Sequence, residues 1–170
     1  PFMIDQAVIF CGGYGKRLLP ITNKIPKPMA LVNKKPFLYH LIKQCKSNGI
    51  NNFLLLCGYK KEQILKYFGN GSKFGVKIKY HFNPPEVQTL KRLIDAKKLI
   101  KKEFLLLYSD NYSDLNIHQL KKKYDSLRSS FLITICKKKY GNILIDKKNE
   151  RITKYFFEKK LKSNFVEIGY

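Results

Sequence analysis

The sequence predicts an α/β fold with a mainly parallel β-sheet. Three runs of consecutive apolar residues, at 7–11, 53–57 and 104–108, have the composition of strands that are buried on both faces. Segments with apolar residues at helical spacing separate these runs, and strands that alternate with helices form parallel sheets. The chain of 170 residues, 44% of them hydrophobic, has the length of one domain and enough apolar material for a core, which excludes general disorder.

The first half of the chain predicts two strand–helix units and a further strand. The strand Ala7–Cys11 ends abruptly at Gly12, and a polar, proline-rich loop follows it through Pro28. A helix begins near Pro36, because the N–H that proline lacks is not needed there, and Gly49 ends it. The remaining elements predicted here are a strand at Phe53–Cys57, a helix at Lys61–Phe68 and an alternating, half-solvated strand at Val76–Tyr80.

The second half continues the alternation and ends in a hairpin. Its expected elements are a helix at Thr89–Ile100, the buried strand Phe104–Tyr108, a helix at Ile117–Ser126 and a strand at Phe131–Ile135. The segments Asn142–Ile145 and Ile152–Phe157 flank a polar turn at 147–150, which predicts a β-hairpin. Because no repeat, linker or shift in composition interrupts the chain, we expect one domain over residues 1–170.

The net charge is strongly positive, since 34 Lys and Arg oppose 12 Asp and Glu to give +22. An anionic partner is therefore expected. A nucleic-acid-binding domain is one alternative, but such domains concentrate arginines and aromatic residues on one element, whereas the lysines here are spread along the whole chain. We favour solvated surface lysines, a few of which bind phosphate.

Cysteine and histidine spacing excludes the common metal and redox motifs. The four cysteines form no C-x-x-C pair and the three histidines form no H-E-x-x-H motif, so neither zinc nor an imidazole-based metal site is expected. The cysteines are typical of core residues in a reducing compartment. No signal-like segment opens the sequence, and no run approaches the roughly 20 apolar residues of a membrane span. These features predict a soluble, cytoplasmic protein without a membrane partner.

Polar residues follow two of the buried strands. A glycine-rich loop comes after Cys11, and Ser109-Asp110-Asn111 comes after the third apolar run. In open parallel sheets the ligand crevice lies beyond the carboxyl ends of the strands, so both groups are expected there.

The loop Gly12–Arg17 has the composition of a phosphate-binding loop. Its glycines let backbone N–H groups approach a phosphate, and its Lys and Arg add positive charge. It is not a Walker loop, which requires Ser or Thr where Arg17 stands, nor a dinucleotide fingerprint, which requires glycine where Leu18 stands. A tight turn alone does not explain the basic residues that follow, Lys24 and Lys27.

A longer pattern extends from this loop, and its segments are Gly12–Leu18, Pro20, Pro26–Met29 and Lys35-Pro36. In that order they resemble the opening pattern of the nucleotidyltransferases that join a nucleoside triphosphate (NTP) to a sugar 1-phosphate and release pyrophosphate. The resemblance implies a three-layer α/β/α Rossmann-like domain of the glycosyltransferase-A-like type. It also implies nucleotide binding by Cys11, Gly12, Gly13, Gly15, Lys16 and Thr89, although Lys16 replaces the usual Thr and Leu90 stands where glycine is expected.

The resemblance covers nearly the whole chain and implies further roles. Arg17 would stabilise the triphosphate and the leaving pyrophosphate, Lys27 the α-phosphate, and Asp110 would bind Mg²⁺. The sugar-phosphate-binding residues that it implies are Gly141, Glu158, Lys159, Glu167 and Gly169. Lys160 replaces a proline in the segment around Lys159.

The implied chemistry suits these residues. A sugar phosphate is already an anionic nucleophile, so attack on the α-phosphorus requires charge neutralisation and in-line positioning rather than a Ser-His-Asp apparatus. The segments 89–92 and 108–112 favour guanylyl transfer to a mannose or manno-heptose phosphate, for lipopolysaccharide or capsule synthesis.

Two features keep alternatives open. The family continues into a segment that supplies a second metal-binding Asp, so we expect this domain to be truncated at its C-terminal end. Together with Leu90, this leaves a non-catalytic nucleotide- or phospho-sugar-binding module as the alternative to an enzyme. A homo-oligomer is also left open.

Overall fold

The secondary structure alternates strands and helices up to residue 127 and is β-rich beyond it. The structure, a computed structural model, describes residues 4–114, 116–127, 130–160 and 165–167, and the side chains at 157–160 and 167 lie outside this description. In chain order the elements are β1 (Gln6–Cys11), β2 (Leu31–Val32), β3 (Lys35–Pro36), α1 (Phe37–Ser47), β4 (Asn52–Cys57), α2 (Lys61–Phe68), β5 (Lys77–Phe82), α3 (Thr89–Asp95), β6 (Leu105–Tyr108), α4 (Ile117–Leu127), β7 (Ile135–Lys137), β8 (Gly141–Asp146), β9 (Arg151–Lys160) and β10 (Phe165–Glu167).

A parallel sheet in the order β5-β4-β1-β6 forms the centre of the fold. Strand β1 pairs with β4 over its whole length, from Gln6 opposite Asn52 to Cys11 opposite Cys57. Its other side pairs with β6, where Phe10 lies opposite Tyr108. Every residue of β1 is buried, because neighbouring strands flank both of its edges and helices cover both of its faces.

Two apolar layers sandwich the sheet, as the side-chain alternation of β1 requires. Ile9 and its neighbours of the same parity share a core with α1 and α2, represented by Leu38 and Ile64. Val8 and Phe10 face the opposite side and pack in a second core that includes Ala96, which follows α3. The predicted three-layer α/β/α arrangement is therefore confirmed.

A second, antiparallel sheet follows in the order β7-β10-β8-β9. Strands β8 and β9 form the predicted hairpin, although both strands are longer than expected and a pairing of Gly141 with Lys160 extends it. Strand β10 pairs with β7, with Glu167 opposite Ile135.

Two other predicted elements are substantially shorter in the structure than the sequence predicts. The expected strand Phe131–Ile135 begins only at Ile135, where β10 provides its partner, and residues 131–134 instead line an apolar groove beside β6. The expected helix over Thr89–Ile100 is α-helical only as far as Asp95 and then tightens into a 3-10 turn at Lys97–Leu99. Such tightening is a common way for a helix to end.

One small element was not predicted. Strands β2 and β3 form a hairpin in which Leu31 lies opposite Pro36, and its two turn residues, Asn33 and Lys34, have positive φ angles of 47° and 62°. Such φ angles are typical of a two-residue hairpin turn. The helix after it begins at Phe37, where the sequence predicts it.

The cysteines are free thiols, and Cys11, Cys45 and Cys57 are buried while Cys136 is half-buried. Burial raises the pKa of Cys45 to about 12. Burial, together with a hydrogen bond to Cys57, also raises the pKa of Cys11 well above its usual value, so these thiols stay protonated. Their expected character as core residues is confirmed for the three buried ones. Among the residues that the structure describes, none of the helices has the length and apolar character that a bilayer span needs.

Replacement of Leu54 tests the central place of β4. Leu54 has 0% of its surface exposed, so Leu54→Ala leaves a cavity and is expected to lower the free energy of unfolding by about 2–5 kcal/mol. Leu31 is 67% exposed, and Leu31→Ala is expected to stay within about 0.5 kcal/mol of the wild type. Urea denaturation measures both, and an equal loss in the two variants would contradict this packing.

Candidate active site

The strand order places a crevice between the carboxyl ends of β1 and β6. From β1 the chain moves outward through β4 to β5, and it then crosses back to pair β6 with the other side of β1. The loops after β1 and β6 therefore leave the sheet side by side, which is where open α/β sheets bind ligands. The backbone joins the two ends directly, since Ser109 N donates to Phe10 O at 3.3 Å.

A cavity of about 470 Å³ opens at this point, and its lining residues are Arg17, Leu18, Lys27, Tyr108, Asp110 and Asn111. Three residues that the sequence singles out, Arg17, Lys27 and Asp110, thus share one cavity. Lys27 Nζ donates to Asp110 Oδ2 at 2.5 Å across 83 residues of sequence. Their side chains are 26% and 29% exposed, so this ion pair remains open to solvent and to ligands.

Local backbone structure positions Arg17 and Lys27. Arg17 lies in a 3-10 turn, Lys16–Leu18, that begins after Gly15, and Leu18 N donates to Gly15 O at 2.8 Å. Lys27 begins a second 3-10 turn, Lys27–Met29. Glycine is required at position 15, because its φ is 65° and a Cβ there would lie 2.9 Å from the Thr22 methyl group and 3.1 Å from Lys27 Cβ.

The other two glycines of the loop have different surroundings. Gly12 is buried, and a Cβ on it would lie 2.3 Å from Nη1 of Arg92. Gly13 is exposed, and a Cβ there would meet no atom within 4 Å in the described part of the chain. Gly13 is therefore free to lie against a ligand, whereas Gly12 packs against the guanidinium of Arg92.

Tyr14 joins the glycine loop to the segment before α3. Its hydroxyl donates to the Glu86 carboxylate, and this hydrogen bond lowers the pKa of Glu86 and raises that of Tyr14. Tyr14 also packs against Tyr59 with ring centroids 5.2 Å apart, and Lys16 Nζ lies 5.7 Å from the Tyr14 ring centroid. No sequence pattern marks Tyr14 as functional, because an exposed aromatic residue in a loop has no distinguishing neighbours.

Arg92 is the residue that the sequence analysis missed. It is only 3% exposed, and its guanidinium donates to backbone carbonyls of five residues, one of which is Gly12 in the glycine loop. An arginine in a helix with Leu and Lys neighbours looks like a surface residue in the sequence. The sequence signal for this role is the pair of glycines Gly12 and Gly58. Because neither has a side chain, both leave space for the Arg92 guanidinium.

The other predicted site residues lie elsewhere. Thr89 is exposed at the first position of α3, and it does not line the described cavity. Glu158 and Lys159 are in β9 and Glu167 ends β10, but only their backbones are described, and Gly169 lies outside the described residues. Their roles stay predictions.

Gly141 has a packing reason to be glycine. It is buried at the start of β8, and a Cβ there would lie 2.3 Å from the carbonyl oxygen of Phe165 in β10. Its predicted contact with the sugar stays a prediction, since the strand pairing alone already requires glycine.

Comparisons with known proteins identify relatives over nearly the whole chain. The Nucleotidyl transferase family model matches residues 6–170. A D-glycero-alpha-D-manno-heptose 1-phosphate guanylyltransferase from Campylobacter jejuni is 33% identical over 156 residues, which cover 92% of this chain and 69% of the relative. A probable glucose-1-phosphate cytidylyltransferase from Bacillus subtilis is 30% identical over 188 residues, which cover 97% of this chain and 73% of the relative.

Solved structures share the fold. HddC from Yersinia pseudotuberculosis, complexed with GMP-PN, superposes with a TM-score of 0.81 at 23% identity and covers 97% of this chain and 74% of its own. A UDP-glucose pyrophosphorylase complexed with UDP-glucose superposes with a TM-score of 0.82 at 22% identity, over 98% of this chain and 74% of its own.

Alanine should lower stability at one glycine of the loop and leave it nearly unchanged at another. Gly15→Ala forces a side chain into a left-handed backbone and against Thr22, so we expect a loss of about 1–2 kcal/mol in the free energy of unfolding. Gly13→Ala meets open space and is expected to stay within about 0.5 kcal/mol of the wild type. Urea denaturation checks both, and a neutral Gly15→Ala would contradict this loop geometry.

Proposed function

The chain belongs to the Nucleotidyl transferase family, as one of its sugar-1-phosphate nucleotidyltransferases, and on this basis we propose that it transfers a guanylyl group from GTP to a mannose-type or manno-heptose-type 1-phosphate. The observation that carries nucleotidyl transfer is the meeting of Arg17, Lys27 and Asp110 in one cavity at the switch point of the sheet. The Campylobacter jejuni relative is named for guanylyl transfer to such a sugar, which supports the choice of base and sugar.

A second candidate is cytidylyl transfer to glucose 1-phosphate. The Bacillus subtilis relative, whose name describes that reaction, is nearly as similar to this chain. Both reactions make the same demands on the phosphate-binding residues and differ only in the base and the sugar.

The site supplies positive charge where the reaction concentrates negative charge. The oxygen of the sugar 1-phosphate attacks the α-phosphorus of the NTP, and the bond from that phosphorus to the pyrophosphate breaks. Arg17 would stabilise the triphosphate and the departing pyrophosphate, and Lys27 would stabilise the α-phosphate. Such preorganised charges act on the transition state more strongly than solvent does.

Asp110 fits the Mg²⁺ that we propose for this reaction. Its carboxylate is a hard oxygen donor that lines the cavity beside Lys27. Proteins usually hold Mg²⁺ by one or two carboxylates together with substrate phosphates, so one carboxylate beside the phosphate-binding loop is a suitable donor. When bound, the ion would neutralise phosphate charge.

The ion pair between Lys27 and Asp110 keeps both groups in position before substrate binds. In that state each charge has an opposite partner at 2.5 Å. A triphosphate entering with a divalent cation offers Lys27 an anion and Asp110 a cation, so both partners can be exchanged without leaving either charge alone. The flexible stem of Lys27 permits this change.

The sugar phosphate is proposed to bind Glu158, Lys159, Glu167, Gly141 and Gly169. Lys159 would neutralise the incoming phosphate. We place the reaction in the cytoplasm, which the four free cysteine thiols support, and we propose that its product serves the synthesis of lipopolysaccharide or capsule.

An assay with Asp110→Asn tests the reaction. Wild-type protein with Mg²⁺, GTP and mannose or manno-heptose 1-phosphate is expected to release pyrophosphate. Asp110→Asn should lower kcat by about a hundredfold, because one charge contact in the transition state is worth roughly 3 kcal/mol. Asp114→Asn, an exposed carboxylate four residues away, is the control and should keep wild-type activity.

Three results, the first from this assay and the other two from binding measurements, would redirect the proposal. Pyrophosphate release with CTP and glucose 1-phosphate in place of GTP would favour the second candidate. NTP binding without turnover for any sugar would indicate a non-catalytic binding module. Affinity for DNA or RNA that falls steeply with salt, without NTP binding, would indicate a nucleic-acid-binding domain.

Gly13→Ala tests whether the loop lies against the nucleotide. The added methyl group has space in the free protein, but it would collide with a phosphate held by the loop N–H groups. We expect KM for the NTP to rise by about tenfold, the equivalent of roughly 1.4 kcal/mol, with KM for the sugar phosphate unchanged. Steady-state kinetics measures both constants, and an unchanged KM for the NTP would place the nucleotide elsewhere.

A further inference from the structure

Arg92 is a buried cation whose hydrogen-bond partners in the described structure are backbone carbonyls. Its guanidinium donates to carbonyl oxygens at distances from 2.7 to 3.4 Å, and the accepting residues are Gly12, Cys57, Pro84, Pro85 and Val87. The side chain is 3% exposed. Burial of an arginine is costly unless hydrogen bonds satisfy it, so this arrangement indicates a specific role.

The five carbonyls come from three separate parts of the chain. Gly12 follows β1, Cys57 ends β4, and residues 84–87 lead from β5 into α3. The planar guanidinium fork can hold several acceptors in fixed directions, which a lysine ammonium cannot do. Arg92 therefore ties the glycine loop to the two neighbouring segments at the carboxyl edge of the sheet.

The glycines around Arg92 are adapted to it. A Cβ on Gly12 would lie 2.3 Å from Nη1, and a Cβ on Gly58 would lie 2.9 Å from the same atom and 2.6 Å from the carbonyl oxygen of Gly12. Either side chain would displace the guanidinium or the loop. Glycine is thus required at position 12 by the packing of Arg92 against the loop, independently of any ligand that binds on the exposed side of the loop.

The peptide geometry gives this contact a consequence on the other side of the loop. In a planar trans peptide the C=O and the N–H point in opposite directions. The Gly12 carbonyl is held inward, since it accepts from Arg92 Nη2 at 3.4 Å and from Tyr59 N at 3.1 Å. The N–H of Gly13 belongs to the same peptide and therefore points away from the core. Gly13 is exposed, so this N–H faces the space where a ligand could bind.

We propose that Arg92 is a positioning residue for nucleotide binding, which it promotes by holding the Gly12–Gly13 peptide with its N–H directed at the NTP. This inference rests on the proposed function and adds the residue that orients the loop. Arg92 does not touch the nucleotide. It acts through the loop, and its buried charge adds to the positive potential beneath the phosphates.

Steady-state kinetics of Arg92→Lys and Arg92→Gln tests this role. Lysine keeps the charge but loses the fork, and glutamine keeps a planar donor but loses the charge. We expect KM for GTP to rise tenfold or more in both, with KM for the sugar 1-phosphate within twofold of the wild type. A residue that only stabilises the fold would lower the active fraction, and hence kcat, without moving either KM.

Lys91→Met is the matched control. Lys91 precedes Arg92 in α3, its side chain is 63% exposed, and its ion pair is with Asp95 rather than with the loop. This variant should keep the wild-type KM for GTP. An equal rise in KM for Lys91→Met, or no rise in either Arg92 variant, would overturn the proposal.

Amide hydrogen exchange separates a failure of this inference from a failure of the proposed function. Exchange in a peptide covering residues 12–18 should be faster in Arg92→Lys than in Lys91→Met, whether or not the protein turns over GTP. Faster exchange in a protein that binds no nucleotide would preserve the role of Arg92 in holding the loop and overturn the proposed reaction. Unchanged exchange would overturn the positioning role.

If neither Arg92 variant folds, Gly12→Ala replaces them. It retains Arg92 and forces the guanidinium away from the loop, because the new Cβ and Nη1 cannot occupy positions 2.3 Å apart. The same selective rise in KM for GTP is expected. A Gly12→Ala protein with the wild-type KM for GTP would overturn the proposal.

Discussion

The burial of β1 between β4 and β6 is the constraint on which the site depends. Because β1 is buried along its whole length and paired on both edges, the chain can reach the surface only at the ends of this strand. The chain must leave β1 through a loop at the carboxyl edge, and the loop after β6 leaves at the same edge. Lys27 and Asp110 can therefore meet although 83 residues separate them, since the strand pairing fixes the origins of both loops.

The sequence predicts the parts of this arrangement that depend on local pattern. Three continuous apolar runs identify β1, β4 and β6, and α2 has the predicted bounds, Lys61–Phe68. Burial on both faces is confirmed for β1 and β4, whereas in β6 Leu106 is half-buried and Tyr108 is exposed. The glycine loop and Asp110 were placed at the carboxyl edge because parallel strands share a direction. The parts that failed depend on partners far along the chain: residues 131–134 have the composition of a strand, but the described ladder of β7 begins at Ile135, where β10 lies beside it.

The positive charge of the protein is likewise predictable from composition in its total but not in the places where it acts. The net charge of +22 indicates an anionic partner, yet composition alone cannot say which cations bind it. In the structure several lysines lie over exposed aromatic rings, as Lys61 does over Phe82 and Lys139 over Tyr140. These lysines have surface roles, and their summed field would draw anionic substrates toward the protein. Specific binding would then rest on the few cations that the fold holds in the cavity, Arg17 and Lys27.

The three glycines of the loop show why a motif cannot be equated with ligand contact. They look alike in the sequence, but each is glycine for a different physical reason. Gly15 has a left-handed backbone conformation, and Gly12 leaves space for the buried guanidinium of Arg92. Of the three, only Gly13 has open space beside it, where a ligand could lie. Since the Gly12 carbonyl and the Gly13 N–H belong to one peptide, the contact of Arg92 with that carbonyl inside the protein also fixes the direction of the N–H that faces outward. A substitution at Arg92, which is remote in sequence and hidden from solvent, should therefore act on the nucleotide through the first of these glycines, while the motif itself remains intact.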